Sequence, residues 1–136
     1  INTASTSGIN AVTKQQFEVG QHILGHGLVP IIEPEVNIKA ADKKECEVIL
    51  RAHILEYIES IPAGQKIMLK LTLPEENNFY ADLINHEKVL RVVALSGGFS
   101  LEESCKRLAQ NTGMIASFSR ALTNDLKASQ SDQEFN

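Results

Sequence analysis

Four short, nearly continuous apolar runs, Leu28–Ile32, Ile67–Leu71, Leu90–Leu95 and Met114–Phe118, recur along the chain with helix-like stretches between them. Runs of this length rich in aliphatic and β-branched side chains match strands buried on both faces. Cys46, Ile49, Leu50, His53, Ile54, Tyr57 and Ile58 recur at i, i+3, i+4 and i+7, the period of an amphipathic helix. Asp42, with Glu45 three residues on, predicts a capping box at its start. Leu101, Cys105 and Leu108 predict a shorter helix opened by Ser100 and Glu103 in the same arrangement. Phe17, Ile23 and Leu24 predict a helix before the first strand, ending near Gly25–Gly27. Phe79, Tyr80, Leu83 and Ile84 predict a short one before the third strand, and Arg120 to about Lys127 a last one. The order α-β-α-β-α-β-α-β-α requires parallel strands with helical crossovers, hence an α/β fold.

Two architectures meet that requirement: a doubly wound open sheet and part of a (β/α)8 barrel. No GxGxxG follows the first strand, which weakens the dinucleotide-binding form of an open sheet. A whole barrel runs to about 250 residues, so four units in 136 residues amount to about half of one. The expected organisation is one body spanning residues 1–136, without repeats or linkers. The ends, Ile1–Gly8 and Ser129–Asn136, read as loose.

A formal charge of −4 argues against a nucleic-acid binder. No apolar run approaches the roughly 18 residues of a membrane span, and INTASTSGIN lacks the features of a secretory signal. The chain begins at Ile1 rather than Met, as a piece of a longer protein would. Cys46 and Cys105 form no CxxC or Cys/His cluster, so the expectation is a reduced, cytoplasmic pair with no metal and no cofactor. Both cysteines fall on apolar helix faces and read as core. His22, His26 and His86 share no ligand spacing, and His53 reads as a core or boundary residue. Asp42–Glu47 reads as a solvated helix start, while Tyr57 and Tyr80 suit packing.

Chemistry gathers where the strands end. The first run leads into Glu33-Pro34-Glu35, the second contains Lys70, the third ends in Ser96-Gly97-Gly98 and the fourth in Ser117-Phe118-Ser119-Arg120. In an α/β barrel those positions converge on one mouth. Alternation along Ile67–Leu73 puts Met68, Lys70 and Thr72 on one face. Burial of a lysine favours the free amine, the form that attacks a carbonyl to make a Schiff base; the plain alternatives are an edge-strand gatekeeper or a glutamate's partner. Pro34 presents Glu33 and Glu35 rigidly, either as proton-transfer groups or as solvated loop charges. Ser96-Gly97-Gly98 before a helix start suits a phosphate, with Arg120 closing on it, although a plain turn needs the same residues.

The segments GLVPIIEPEV, IMLKLTLP, VVALSGGFS and IASFSRAL together resemble the class I, Schiff-base fructose-bisphosphate aldolases, specifically their bacterial branch. The similarity extends from about Gln15, through QQFEVGQHIL, to the closing LKASQSDQEF. It implies a (β/α)8 barrel of which this chain is the C-terminal half, strands five to eight. It implies that Lys70 is the Schiff-base lysine, Glu33 the proton-transferring glutamate and Glu35 a neighbour that interacts with the lysine. Ser96, Gly97 and Gly98 with Arg120 would hold a sugar-phosphate substrate. Ser119 stands where animal members carry a glycine, and bacterial members tolerate serine there.

The family's aspartate, lysines and arginine from the first four strands have no counterpart here. The isolated half is therefore expected to be inactive and to self-associate as a homo-oligomer through unpaired edges. The alternative substrate reading is another Schiff-base sugar-phosphate aldolase or a transaldolase.

Overall fold

The computed structural model describes residues 1–123 and 126–135. The elements run α1 (Thr6–Gly25), β1 (Ile31–Ile32), α2 (Lys43–Ile58), β2 (Ile67–Thr72), α3 (Ala81–Ile84), β3 (Val89–Leu95), α4 (Leu101–Ala109), β4 (Ile115–Ala116), α5 (Ser119–Thr123) and α6 (Asp132–Phe135). The four strands form one parallel sheet in the order β1-β2-β3-β4. Each strand lies beside its sequence neighbour. The order contains no reversal, the feature that defines a doubly wound sheet.

One face of the sheet carries the core. Ile67, Leu69 and Leu71 of β2 are fully buried, together with Ile54 and Ile58 of α2, Phe17 of α1 and Leu83 of α3. The other face corrects the expectation of strands buried on both sides. Ile31, Met68 and Arg91 are in register there, as are Lys70, Val93 and Ile115. Of these Val93 is buried, Met68 and Lys70 are half-buried, and Ile31, Arg91 and Ile115 are exposed.

The outer strands are shorter than their apolar runs. Pro30 has no N–H to give a ladder, so β1 begins after it, although the Pro30 carbonyl still accepts from Met68 N at 2.9 Å. Leu28 N instead closes the end of α1 on the Ile23 carbonyl at 3.3 Å. Met114 and Phe118 are buried but flank β4 rather than pair within it. α1 lies close against β1 because residue 20 is glycine: a Cβ there would sit 2.8 Å from Ile32 Cδ1.

Several local expectations are corrected. Ile1–Gly8 is not loose: the terminal ammonium donates to the Glu35 carbonyl at 2.7 Å and Asn37 N to the Ile1 carbonyl at 2.8 Å. Asp42 does not cap α2. Its carboxylate accepts from Ala4 N at 2.7 Å and the Thr3 hydroxyl at 2.8 Å, and those two bonds hold it below the usual aspartate range. The start of α2 is only partly solvated, since Lys44 and Glu45 are exposed but Lys43, Cys46 and Glu47 are buried. Cys105 is exposed, on the outer side of α4, while Cys46 is core; both are free thiols. Burial pushes the Cys46 thiol up, helped by the nearby Asp42 carboxylate. Phe79 and Tyr80 precede α3 instead of lying in it. The expected last helix covers residues 124 and 125, which lie outside those described; α5 accounts for Ser119–Thr123, and α6 occupies part of a terminus that reads as loose. No helix among the described residues is long and apolar enough to cross a membrane.

β1 and β4 end the described sheet with open edges, and Ile31 and Ile115 on them are about half exposed. Such edges template pairing with another chain. The 136-residue chain handled alone is expected to self-associate, and sedimentation across a concentration series checks it. A monomer at every concentration contradicts the expectation.

Candidate functional site

The site grows from the C-terminal ends of the strands. β2 is rigid, with its Ile67, Leu69 and Leu71 locked in the core, so the opposite alternation delivers Lys70 to the open face. β1 stops at Ile32, and Glu33-Pro34-Glu35 arches off the sheet with Pro34 buried and both glutamates exposed. Lys70 Nζ meets Glu33 Oε1 at 2.8 Å, with the lysine side chain 25% exposed and the glutamate 44%. The amine is therefore half-buried and held by a carboxylate, not bared in an apolar wall. Its surroundings are those of an ion pair, the plainer of the two sequence readings, placed in a cleft.

Glu35 takes a different partner from the one expected. Its carboxylate lies 3.6 Å from Arg120 Nη2, and its ion pair is with the arginine instead of the lysine. Glu33 and Glu35 are separated by Pro34 on a backbone that leaves the sheet, so their carboxylates diverge: one toward β2, the other toward the start of α5.

After β3 the backbone turns sharply. Gly97 has φ +61° and Gly98 φ +108°, and a Cβ on Gly97 would lie 2.8 Å from Ile38 Cγ2. The turn thus needs glycine twice over at residue 97, for conformation and for space. Ser100 caps α4, its hydroxyl accepting from Glu103 N at 3.2 Å. The capping box is only half made, because the Glu103 carboxylate turns to Arg107 Nε at 2.7 Å. Ser96 is buried, and Gly97 is half-buried beside Ile38.

These groups meet in one cleft of about 160 Å³, lined by Glu33, Glu35, Lys70, Ser96, Gly97, Ser119 and Arg120 together with Leu95 and Ser117. Gly98 alone of the eight sequence candidates does not line it. A larger cleft of about 600 Å³ runs along α1 beside Glu18, His22 and His26, without a lysine or arginine. Among the described residues no cluster of three His, Cys, Asp or Glu is placed to hold a metal ion.

The cleft thus gathers an ion-paired lysine, two glutamates and an arginine beside a glycine turn. No family model matches it. The fructose-bisphosphate aldolase class 1 of Synechocystis sp. is 54% identical over all 136 residues, 45% of that protein's length. The fructose-bisphosphate aldolase class 1 of Clostridium acetobutylicum is 48% identical over the same 136 residues, 46% of its length. The chain is homologous to a C-terminal part of class 1 fructose-bisphosphate aldolases. It spans a little under half the length of these aldolase relatives.

The sequence puts Ser117 at a strand end and Thr72 on the face of Lys70 without a role for either, and Ser117 lines the cleft. Ser117 sits two residues before Ser119 in the aldolase-like segment, and its N–H donates to the Ala94 carbonyl at 2.8 Å, which carries the ladder on past β4. Thr72 shares the alternation of Lys70, and that alternation is the signal that finds it. The buried charges at the start of α2 give no such signal. Lys43 donates to the Leu73 carbonyl at 2.8 Å and meets Glu75 Oε1 at 3.1 Å, besides its contact with Glu47. This cluster anchors the loop leaving β2, on the side of the sheet away from the cleft lining.

Proposed function

We propose that this chain is the lysine-bearing half of a (β/α)8 class I aldolase that reversibly cleaves fructose 1,6-bisphosphate to dihydroxyacetone phosphate and glyceraldehyde 3-phosphate. One observation carries the reading: Lys70 Nζ stands 2.8 Å from Glu33 in a cleft shared with Arg120 and the Ser96-Gly97 turn. The roughly half-identical aldolase relatives give it a substrate class. An unreversed parallel strand order, with one face left open, supports the barrel.

In this mechanism the Lys70 amine adds to the ketone carbon, and the resulting carbinolamine loses water to an iminium. The iminium withdraws the electron pair of the C3–C4 bond as it breaks, while the C4 hydroxyl gives up its proton and glyceraldehyde 3-phosphate leaves. The enamine left behind takes a proton at carbon, and water then releases dihydroxyacetone phosphate and the free amine. Glu33, already within hydrogen-bond reach of Lys70 Nζ, moves protons at that nitrogen during addition and dehydration. The backbone N–H groups of the Ser96–Gly98 turn and the Arg120 guanidinium suit a phosphate dianion. Glu35 is Arg120's partner until a phosphate competes for the guanidinium.

The test uses the chain joined to the preceding segment of one of its aldolase relatives. Borohydride reduction with dihydroxyacetone phosphate is expected to leave one covalent adduct, mapped by peptide mass to Lys70. An adduct at another lysine, or none in a protein that folds, rejects the assignment. Ketose monophosphates assayed in parallel address the transaldolase-like alternative, which a monophosphate preference would favour.

A further inference from the structure

We propose that Gln16 and Thr72, neither of which lines the cleft, are positioning residues that stretch the Glu33–Val36 arch over Lys70. The Lys70 end of this inference rests on the function proposed above, but the clamp itself does not. Each residue holds one foot of the arch in the same way. Gln16 Oε1 accepts from Glu33 N at 2.8 Å, while Gln16 Nε2 donates to the Glu33 carbonyl at 3.2 Å. Thr72 Oγ1 accepts from Val36 N at 3.0 Å and donates to the Val36 carbonyl at 2.8 Å. Both side chains are competent for this dual role: an amide has a separate donor and acceptor, and a hydroxyl has one hydrogen and two lone pairs.

The need for two clamps follows from the sequence. β1 pairs with β2 only at Ile31 and Ile32, and Pro34 can donate nothing to a ladder. The chain must nonetheless return to the sheet, because Val36 is 1% exposed and its N–H and carbonyl have no access to water. Thr72 meets that demand from inside the sheet, at 1% exposure itself. As a β-branched residue on a strand it has little χ1 freedom. Its γ-methyl lies 3.6 Å from where a Cβ on Gly97 would sit, so it also fills the space between the arch and the glycine turn.

Thr72 stands two residues beyond Lys70 on one strand, and Gln16 projects from the 20-residue α1. Two rigid elements therefore fix both ends of a four-residue span, Glu33–Val36, carrying both carboxylates. Glu33 is left 2.8 Å from Lys70 and Glu35 is aimed at Arg120. Alignment of a proton-transfer group to within a fraction of an ångström is what such a shell provides.

Reductive methylation of the chain at low conversion, with formaldehyde and cyanoborohydride, gives a substrate-independent readout. Labelling of Lys70 is scored by peptide mass against exposed Lys66. In Thr72→Val the freed arch no longer holds Glu33 on the amine, and Lys70 is expected to label about tenfold faster relative to Lys66. Thr72→Ser, which keeps the hydroxyl, is expected to label within about threefold of the parent. Gln16→Met, at a half-exposed helix position that tolerates exchange, is expected to act in the same direction as Thr72→Val. Amide exchange separates the two feet: Val36 N–H is expected to quicken only in Thr72→Val and Glu33 N–H only in Gln16→Met.

Unchanged Lys70 labelling in both Thr72→Val and Gln16→Met overturns the proposal. So does a Thr72→Ser variant as altered as Thr72→Val, because a cavity would then explain the effect. Should dihydroxyacetone phosphate never be trapped at Lys70 in the parent, the aldolase reading fails while the labelling ratios still decide the clamp.

Discussion

A Lys70→Met variant, assayed in the protein completed by a relative's preceding segment, is expected to lose turnover by a factor on the order of 10⁴ or more, the scale on which removal of a covalent nucleophile acts. Methionine matches the aliphatic stem of lysine and lacks the amine, so cleft shape persists while imine formation does not. The fold is expected to hold. The Lys70–Glu33 pair is partly exposed, with side chains 25% and 44% accessible, and pairs of that kind contribute about 1 kcal/mol or less. Glu33, released, is solvated where it stands. Glu33→Gln provides the contrast, since an amide can hydrogen-bond the lysine but cannot move its proton. It is expected to slow turnover by about 10²-fold or more, with the borohydride adduct at Lys70 still detectable. Initial rates, adduct mass and thermal unfolding measured together check both variants. A Lys70→Met protein retaining a tenth of parental turnover would remove the lysine from the mechanism.

The parts of this molecule legible in its sequence are those written in local pattern. β2 and β3 lie within one residue of their apolar runs, because each is central in the sheet with a neighbour on either side. β1 and β4 are shorter, because at a sheet edge only one neighbour fixes the backbone, and Pro30 removes a donor from the first of them. Lys70 and Glu33 fall together because strand alternation and a proline arch are both short-range devices. The partner of Glu35 is a long-range matter: Arg120 comes from the far edge of the sheet, and no spacing rule connects them. The same limit hides Lys43 and Glu47. An i, i+4 pair at a helix start reads as surface charge, and only the loop carrying Leu73 and Glu75, folded over it, makes it interior. Cys105 fails in the opposite sense, since the helix that carries it is short and packs through fewer positions than its apolar residues suggest.

That interior pair carries the largest expected effect on stability. Lys43 is 4% exposed and Glu47 1% exposed, and the lysine is also bonded to the Leu73 carbonyl at 2.8 Å. Lys43→Met leaves the Glu47 carboxylate buried with Glu75 N, at 3.1 Å, as its remaining hydrogen-bond donor. An uncompensated buried charge of this kind costs about 3–5 kcal/mol, a drop in melting temperature on the order of 10–20 °C for a chain this size. Replacing both residues with apolar ones, Lys43→Met with Glu47→Leu, is expected to recover more than half of that loss, because no unpaired charge then remains. The deficit of the single variant also has a defined pH dependence. Burial pushes the Glu47 carboxyl up from its usual value, with Lys43 and the Glu75 N–H only partly offsetting it. A carboxyl whose folded value is raised favours folding most below its unfolded value, and that contribution is lost as pH rises through the folded value. Burial likewise pushes Glu75 up, but Lys43 and Arg107 more than offset it and hold it low. Its contribution is therefore present above the unfolded value and lost as pH falls through the folded one. Without Lys43, protonation relieves Glu47 on acidification, and the attraction lost at Glu75 ceases to matter. The gap between parent and Lys43→Met is thus expected to be widest near neutral pH and to narrow toward about pH 4. Urea unfolding of the parent, the single and the double variant at several pH values measures it, and a gap that widens on acidification would mean that Glu47 is not the group left uncompensated.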